Sequence, residues 1–247
     1  MPVWSRTRSE STLEARLSFV VLAGQSNALG FGNTGPAPYV PDPLTFIWDS
    51  LKHWWVQMAP GVNTGTPANP ADWGPEVAFA QAFRAAHPGE VLLIVKSVKG
   101  ETGLAVRPGI DWSPASHGEM FDLTAERIAA ARAAFGPHAP PVDAVLWMQG
   151  EEDAADRAAA AAYGPNLQSF LAAVRARWGA EEVVLGRIGQ AGAWSQDVRA
   201  AQRSVDQADG HVTSFDTIGF GLQGDGLHYD AAGQLALGRG FFDAWPY

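Results

Sequence analysis

Four short, uninterrupted apolar runs divide the chain: LSFVVLAG at 17–24, VLLIVKSV at 91–98, VDAVLWMQ at 142–149 and EVVLGRI at 182–188. Runs that are continuous rather than alternating are what parallel strands buried on both faces require. TFIWD at 45–49 and HVTSFD at 211–216 are weaker strand candidates. Helical spacing fills the intervals. The segment 75–86 opens with Pro75 and Glu76, both favourable in a first turn. The segment 118–135 is rich in Ala and Arg and is stopped by Gly136-Pro137. A long Ala-rich helix is predicted over 158–178, with Gly164-Pro165 as a candidate break. Helices over 194–208 and 231–245 complete the set. Strands alternating with helices predict βαβ units, and so an α/β fold with a mostly parallel sheet between helical layers.

Two stretches depart from this rhythm. Residues 33–72 are dense in Pro, Gly and Trp, with only 45–49 regular; a long irregular segment inside an α/β domain is usually functional. Residues 1–16 carry Arg6, Arg8, Glu10, Glu14 and Arg16 without an apolar stretch and read as a solvated arm, leaving 17–247 as one domain.

Composition narrows the function. Of 247 residues, 47% are hydrophobic and 17% charged, which excludes wholesale disorder. The formal charge of −9 argues against nucleic acid and anionic membrane as partners. The absence of cysteine removes disulfides, thiolate nucleophiles and Cys-based metal sites. No apolar run reaches the roughly 18–20 residues that span a bilayer, and no signal-peptide core precedes residue 17. The expectation is a cytoplasmic chain, or one exported without a visible signal peptide.

Ligand sites of doubly wound sheets lie at the carboxyl ends of the strands. Gly24-Gln25-Ser26-Asn27-Ala28 follows the first strand. A serine in a tight turn there is displayed as a nucleophile would be, although a serine capping a short helix gives the same pattern. Asp225-Gly226-Leu227-His228 stands before the last helix, and of the six histidines only His228 has an aspartate at this spacing. That spacing lets a carboxylate accept from one ring nitrogen while the other faces outward, as activation of a serine hydroxyl demands. An Asp cap beside a surface His is the alternative. Gln149-Gly150-Glu151-Glu152-Asp153 ends the third strong strand, where an amide side chain can donate to a developing oxyanion and acids also favour a helix start.

Together, Gly24-Gln25-Ser26-Asn27, Trp147-x-Gln149-Gly150-Glu151-x-Asp153 and Asp225-x-x-His228 resemble the blocks of SGNH hydrolases. They are most similar to the sialate O-acetylesterase-like group that includes carbohydrate esterase family 6 and its acetylxylan esterases. The resemblance runs from about Ser18 to the last helix. It implies a three-layer α/β/α sandwich with a flavodoxin-like sheet, and a serine esterase that removes small acyl groups, acetyl above all, from carbohydrate. Ser26 would be the nucleophile, His228 the base and Asp225 its orienting acid, with no metal or cofactor. The backbone N–H groups of Ser26 and Gly74 and the side chain of Gln149 would form the oxyanion hole. Glu151 would hold the turn around Gln25 and Asn27, with Asp153 as further support. Lys99-Gly100-Glu101-Thr102 departs from the Gly-Gly-Thr-like loop of the family, and Thr102 is a substrate-binding candidate there.

Trp48, Trp54, Trp55, Trp73 and Trp112 fall in or beside loops of the expected active-site face, either stacking on sugar or plugging the loops. The pair Trp54-Trp55 is the best sugar-platform candidate, and Trp147, Trp178 and Trp245 are expected in the core. The competing functions are a lipase- or thioesterase-like hydrolase of longer acyl esters and a carbohydrate-binding module of a larger assembly. A glycosidase using Glu151 and Glu152 fits poorly, since adjacent residues rarely present two carboxylates across one bond.

Overall fold

The computed structural model describes residues 16–246, so all of the expected arm at 1–16 but Arg16 lies outside the described residues. Every apolar run forms a strand. In chain order they are β1 (Leu17–Gly24), β2 (Thr45–Asp49), β3 (Trp54–Gln57), β4 (Val91–Val98), β5 (Val142–Met148), β6 (Ala180–Arg187) and β7 (Val212–Asp216). They form one sheet in the order β3-β2-β4-β1-β5-β6-β7. All pairings are parallel except β2 with β3.

β3 is the strand that the apolar pattern did not predict. It is four residues long, lies in the Pro- and Gly-rich stretch and pairs antiparallel at the sheet edge. The helices are α1 (Ser26–Leu29), α2 (Glu76–Ala86), α3 (Met120–Ala133), α4 (Arg157–Ala173), α5 (Ser195–Ala208) and α6 (Ala231–Ala244). The expected break at Gly164-Pro165 does not occur: Pro165 lies inside α4 on its exposed side, where the carbonyl it leaves without a donor faces water. A π turn, Val174–Trp178, then carries the helix to Gly179.

Right-handed crossovers from β4 to β5, β6 and β7 put α3, α4 and α5 on one face. α2 and α6 pack on each other on the opposite face. The layers are closed by aromatic residues. Trp147, Phe170, Trp112, Phe121 and Trp178 interlock edge to face and stacked beneath α3 and α4. Phe79, Phe83 and Trp245 do so between α2 and α6. Connections leave β1 and its neighbour β4 toward opposite edges of the sheet, the kind of switch point outside whose strand ends doubly wound folds place their sites. Among the described residues, no helix is long and apolar enough to cross a membrane.

Candidate active site

The turn after β1 is built on a glycine that nothing else replaces. Gly24 has φ +141°, and a Cβ on it would lie 1.9 Å from the carbonyl oxygen of Met148. Gln25 then donates its N–H to that same oxygen at 3.0 Å, extending the β1–β5 pairing by one residue. Its side-chain oxygen accepts from the N–H groups of Gly150 (3.1 Å) and Glu152 (3.3 Å). With Gln25 locked to the β5 turn, α1 starts at Ser26, which is 7% exposed. Gln25 is the cap residue, so the Ser26 hydroxyl is not spent on capping.

Asn27 binds the distant histidine loop to this turn. Its side-chain amide donates to the carbonyl of Leu227 at 3.2 Å and accepts from the N–H of Tyr229 at 3.0 Å. The two residues flanking His228 are therefore held by the residue that follows Ser26, across about 200 positions of chain. Gln234 of α6 adds a bond to the Asn27 carbonyl at 3.2 Å. Within the loop, Asp225 Oδ1 accepts from the N–H groups of Leu227 (2.9 Å) and His228 (3.0 Å), and Oδ2 lies 2.7 Å from His228 Nδ1. The bond from His228, followed by those two amides, holds the Asp225 carboxyl down to about 2.

The acids after β5 face inward. Glu151 Oε1 accepts from Asn27 Nδ2 at 2.6 Å, while its Oε2 is buried without a partner. Burial pushes the Glu151 carboxyl up, against the pull of the Asn27 bond and the nearby His228. Asp153 is also raised by burial and accepts from the N–H groups of Leu104 and Ala105, which fastens the loop after β4. No group of three or more His, Asp or Glu side chains that could hold a metal occurs among the described residues.

Several residues chosen from the sequence stand elsewhere. The N–H of Gly74 donates to Glu76 Oε1 at 2.8 Å, and Gly74 abuts Leu29 at the far end of α1, so it is not available to an oxyanion beside Ser26. The Gln149 side chain is 0% exposed, and both its N–H groups are engaged, with the Thr102 carbonyl (3.0 Å) and Asp153 (2.6 Å). It supports the loop under the site instead of lining it. Thr102 is fully buried; its hydroxyl donates to the Lys99 carbonyl and accepts from Trp112 Nε1, so it does not face substrate.

The tryptophans divide differently too. Trp55 packs on Phe19, Trp48 and Phe135 and donates to the Ala131 carbonyl of α3, which makes it a brace for the sheet edge. Trp48, Trp73 and Trp112 are buried. Trp54 alone of the loop group is exposed, at 61%, and its strand lies three strand spacings, about 14 Å, from β1.

Two residues at the site were missed. Gly100, two residues after β4, stands beside the serine: a Cβ on it would lie 3.6 Å from the Cβ of Ser26. Among the described residues, the N–H groups of Ser26 and Gly100 are engaged by no other group. The same inspection of strand ends that found Ser26 finds Gly100 when applied to β4. The second is Phe31, whose ring lies on His228 with centroids 4.7 Å apart. A single aromatic residue after Gly30 carries no signal in the sequence.

Residues 16–245 match the family described as carbohydrate esterase, sialic acid-specific acetylesterase. A probable carbohydrate esterase of Arabidopsis thaliana is 27% identical over 176 residues, which is 70% of this chain and 63% of that relative's length. The chain thus spans less than two thirds of that relative in this alignment. The crystal structure of the Arabidopsis thaliana protein superimposes with a TM-score of 0.79 at 22% identity, covering 92% of this chain and 97% of the other. NanS superimposes with a TM-score of 0.65 at 15% identity over 93% and 96% of the two chains. A carbohydrate acetylesterase from Xanthomonas citri does so with a TM-score of 0.59 at 19% identity over 92% and 55%. At these identities, the likeness to the solved structures is one of fold.

Proposed function

The chain belongs to the sialic acid-specific acetylesterase family of carbohydrate esterases, and we propose that it is a serine esterase releasing acetate from O-acetylated carbohydrate. The observation that carries this reading is the Asn27 clamp. It ties a histidine already paired with Asp225 to the residue after Ser26, and a binding module has no need of that arrangement.

In the reaction, His228 Nε2 takes the proton of the Ser26 hydroxyl as Oγ attacks the acetyl carbonyl carbon. Asp225, ionised through the working range, accepts the Nδ1–H and so fixes the tautomer that leaves Nε2 free. The carbonyl oxygen gains the negative charge, and the N–H groups of Ser26 and Gly100 receive it. The tetrahedral intermediate collapses as His228 gives its proton to the departing sugar oxygen, leaving an acetyl-serine. Water, deprotonated by His228, then attacks that ester and releases acetate.

The test is acetate release from p-nitrophenyl acetate and acetylated xylan by the wild-type chain and Ser26→Ala. Wild type is expected to be active, and Ser26→Ala to lose at least about 10³-fold in kcat. An inactive wild type, full activity in Ser26→Ala, or a preference for long acyl chains over acetyl would each sink the reading.

A further inference from the structure

Phe31 is the residue that the proposed reaction leaves without a task. It is 39% exposed, although its ring lies on the His228 imidazole at 4.7 Å with a 45° tilt. Its backbone is tied to both halves of the site. The N–H donates to the Ser26 carbonyl at 3.1 Å, and the carbonyl accepts from Gln223 Nε2 at 2.6 Å. Gln223 in turn donates to the carbonyl of Tyr229 through its side chain and to that of His228 through its backbone. A large apolar ring left in water costs free energy that burial against a ligand would recover, and here it is fixed by the nucleophile turn on one side and the base loop on the other.

The direction of the chemistry says what would cover it. His228 protonates the departing alcohol oxygen, so the leaving group sits against the histidine and the acetyl methyl lies away from it. A ring beside His228 therefore adjoins the alcohol, which in a carbohydrate ester is the sugar. Sugars present C–H faces that pack on aromatic faces, and a ring with two side-chain torsions loses little freedom in doing so. Trp54, also exposed, is on the edge strand about 14 Å from β1 and cannot meet the same ring.

We infer that Phe31 is the platform for the sugar that carries the scissile acetyl group, and that it sets the preference of this site for saccharide over small-alcohol esters. The inference rests on the esterase reading for its direction, and the two fail separately in the following experiment. Binding of an acetylated xylo-oligosaccharide is measured by calorimetry to Ser26→Ala and to the double variant Ser26→Ala/Phe31→Ala. The double variant is expected to bind about tenfold more weakly, and Ser26→Ala/Phe31→Tyr within about twofold of Ser26→Ala. In otherwise wild-type chains, kcat/KM for the oligosaccharide relative to methyl acetate is expected to fall about tenfold in Phe31→Ala. Equal affinities in the first pair, or an equal fall for both esters in the second, overturn the platform; the latter would make Phe31 a support for His228 alone. If no acetate ester is hydrolysed at all, the esterase reading falls, and the binding comparison still judges Phe31.

Discussion

Carboxylates of one chemistry are driven apart here by their surroundings. Asp225 accepts three hydrogen bonds and is held at about 2, whereas Glu151 and Asp153 are raised by burial. Replacing Asp225 by Asn keeps an oxygen for the Leu227 and His228 amides but can turn an N–H₂ toward His228 Nδ1. The ring then favours the tautomer with Nε2 protonated, which cannot take the serine proton. Asp225→Asn is expected to lower kcat by about 10²- to 10⁴-fold while the chain stays folded, with only a small fall in Tm above about pH 4 as the Asp225 contribution is lost; loss of the fold together with activity would contradict this. The buried acids govern stability in the opposite sense from Asp225. A carboxyl raised by folding contributes stability that is complete below its unfolded value, 4.5 for Glu151, and is lost as pH climbs through the raised value. The depressed Asp225 contributes above 3.8 and loses its contribution as pH falls toward 2. Tm is therefore expected to peak in mildly acidic solution. Glu151→Gln should flatten the decline above pH 4.5, and a decline as steep as in wild type would assign it to other groups.

At the scale of elements, a buried ion pair joins β4, α2 and α1. Lys96 Nζ lies 2.9 Å from Glu76 Oε2 and donates to the carbonyl of Leu29 at 2.8 Å, while Glu76 Oε1 accepts from Gly74. Both side chains are nearly inaccessible, and burial lowers the Lys96 ammonium against the pull of Glu76. Lys96→Met strands a buried carboxylate and is expected to cost about 3–5 kcal/mol, whereas Lys96→Met/Glu76→Gln should recover much of that. Denaturant unfolding of the four members of the cycle measures it; additive losses would mean that the two groups act independently. The pair also bears on Gly74, which the family resemblance alone puts in the oxyanion hole: Glu76, held by Lys96, takes the Gly74 N–H. The four central strands β1, β4, β5 and β6 carry buried, uninterrupted apolar runs, a signal that burial on both faces imposes, and the shorter β2 and β7 toward the edges carry a weaker one. β3 lacks that signal because an edge strand needs no fully buried side chain, Trp55 and Val56 being only half-buried, and four residues do not establish a period.

Across the whole molecule, the proposed triad joins the first strand to the loop before the last helix, and its residue types were legible because Ser, Asp and His must stand in particular turns. The partners of those residues were not legible. Whether an amide is free for an oxyanion depends on what folds against it, as the engaged N–H groups of Gly74 and Gln149 show. Net charge is the property that sequence delivers whole. With 17 basic and 26 acidic residues, the field around the chain is negative on average. The charges near the site do not reverse it: Arg107 pairs with Glu152 at 2.6 Å, and exposed Lys99 has exposed Glu101 two residues away. A neutral acetylated xylo-oligosaccharide gains nothing from that field, and its kcat/KM should stay within about twofold as the Debye length shrinks from about 30 Å at 0.01 M salt to about 10 Å at 0.1 M. The acetate ester of a sugar carrying a carboxylate is repelled at low salt, so its kcat/KM should rise several-fold, roughly, over the same range. A fall with added salt for the acidic sugar would mean that Lys99 and Arg107 outweigh the rest of the surface and draw anionic sugars to Ser26. The natural substrate would then be sought among acidic rather than neutral saccharides.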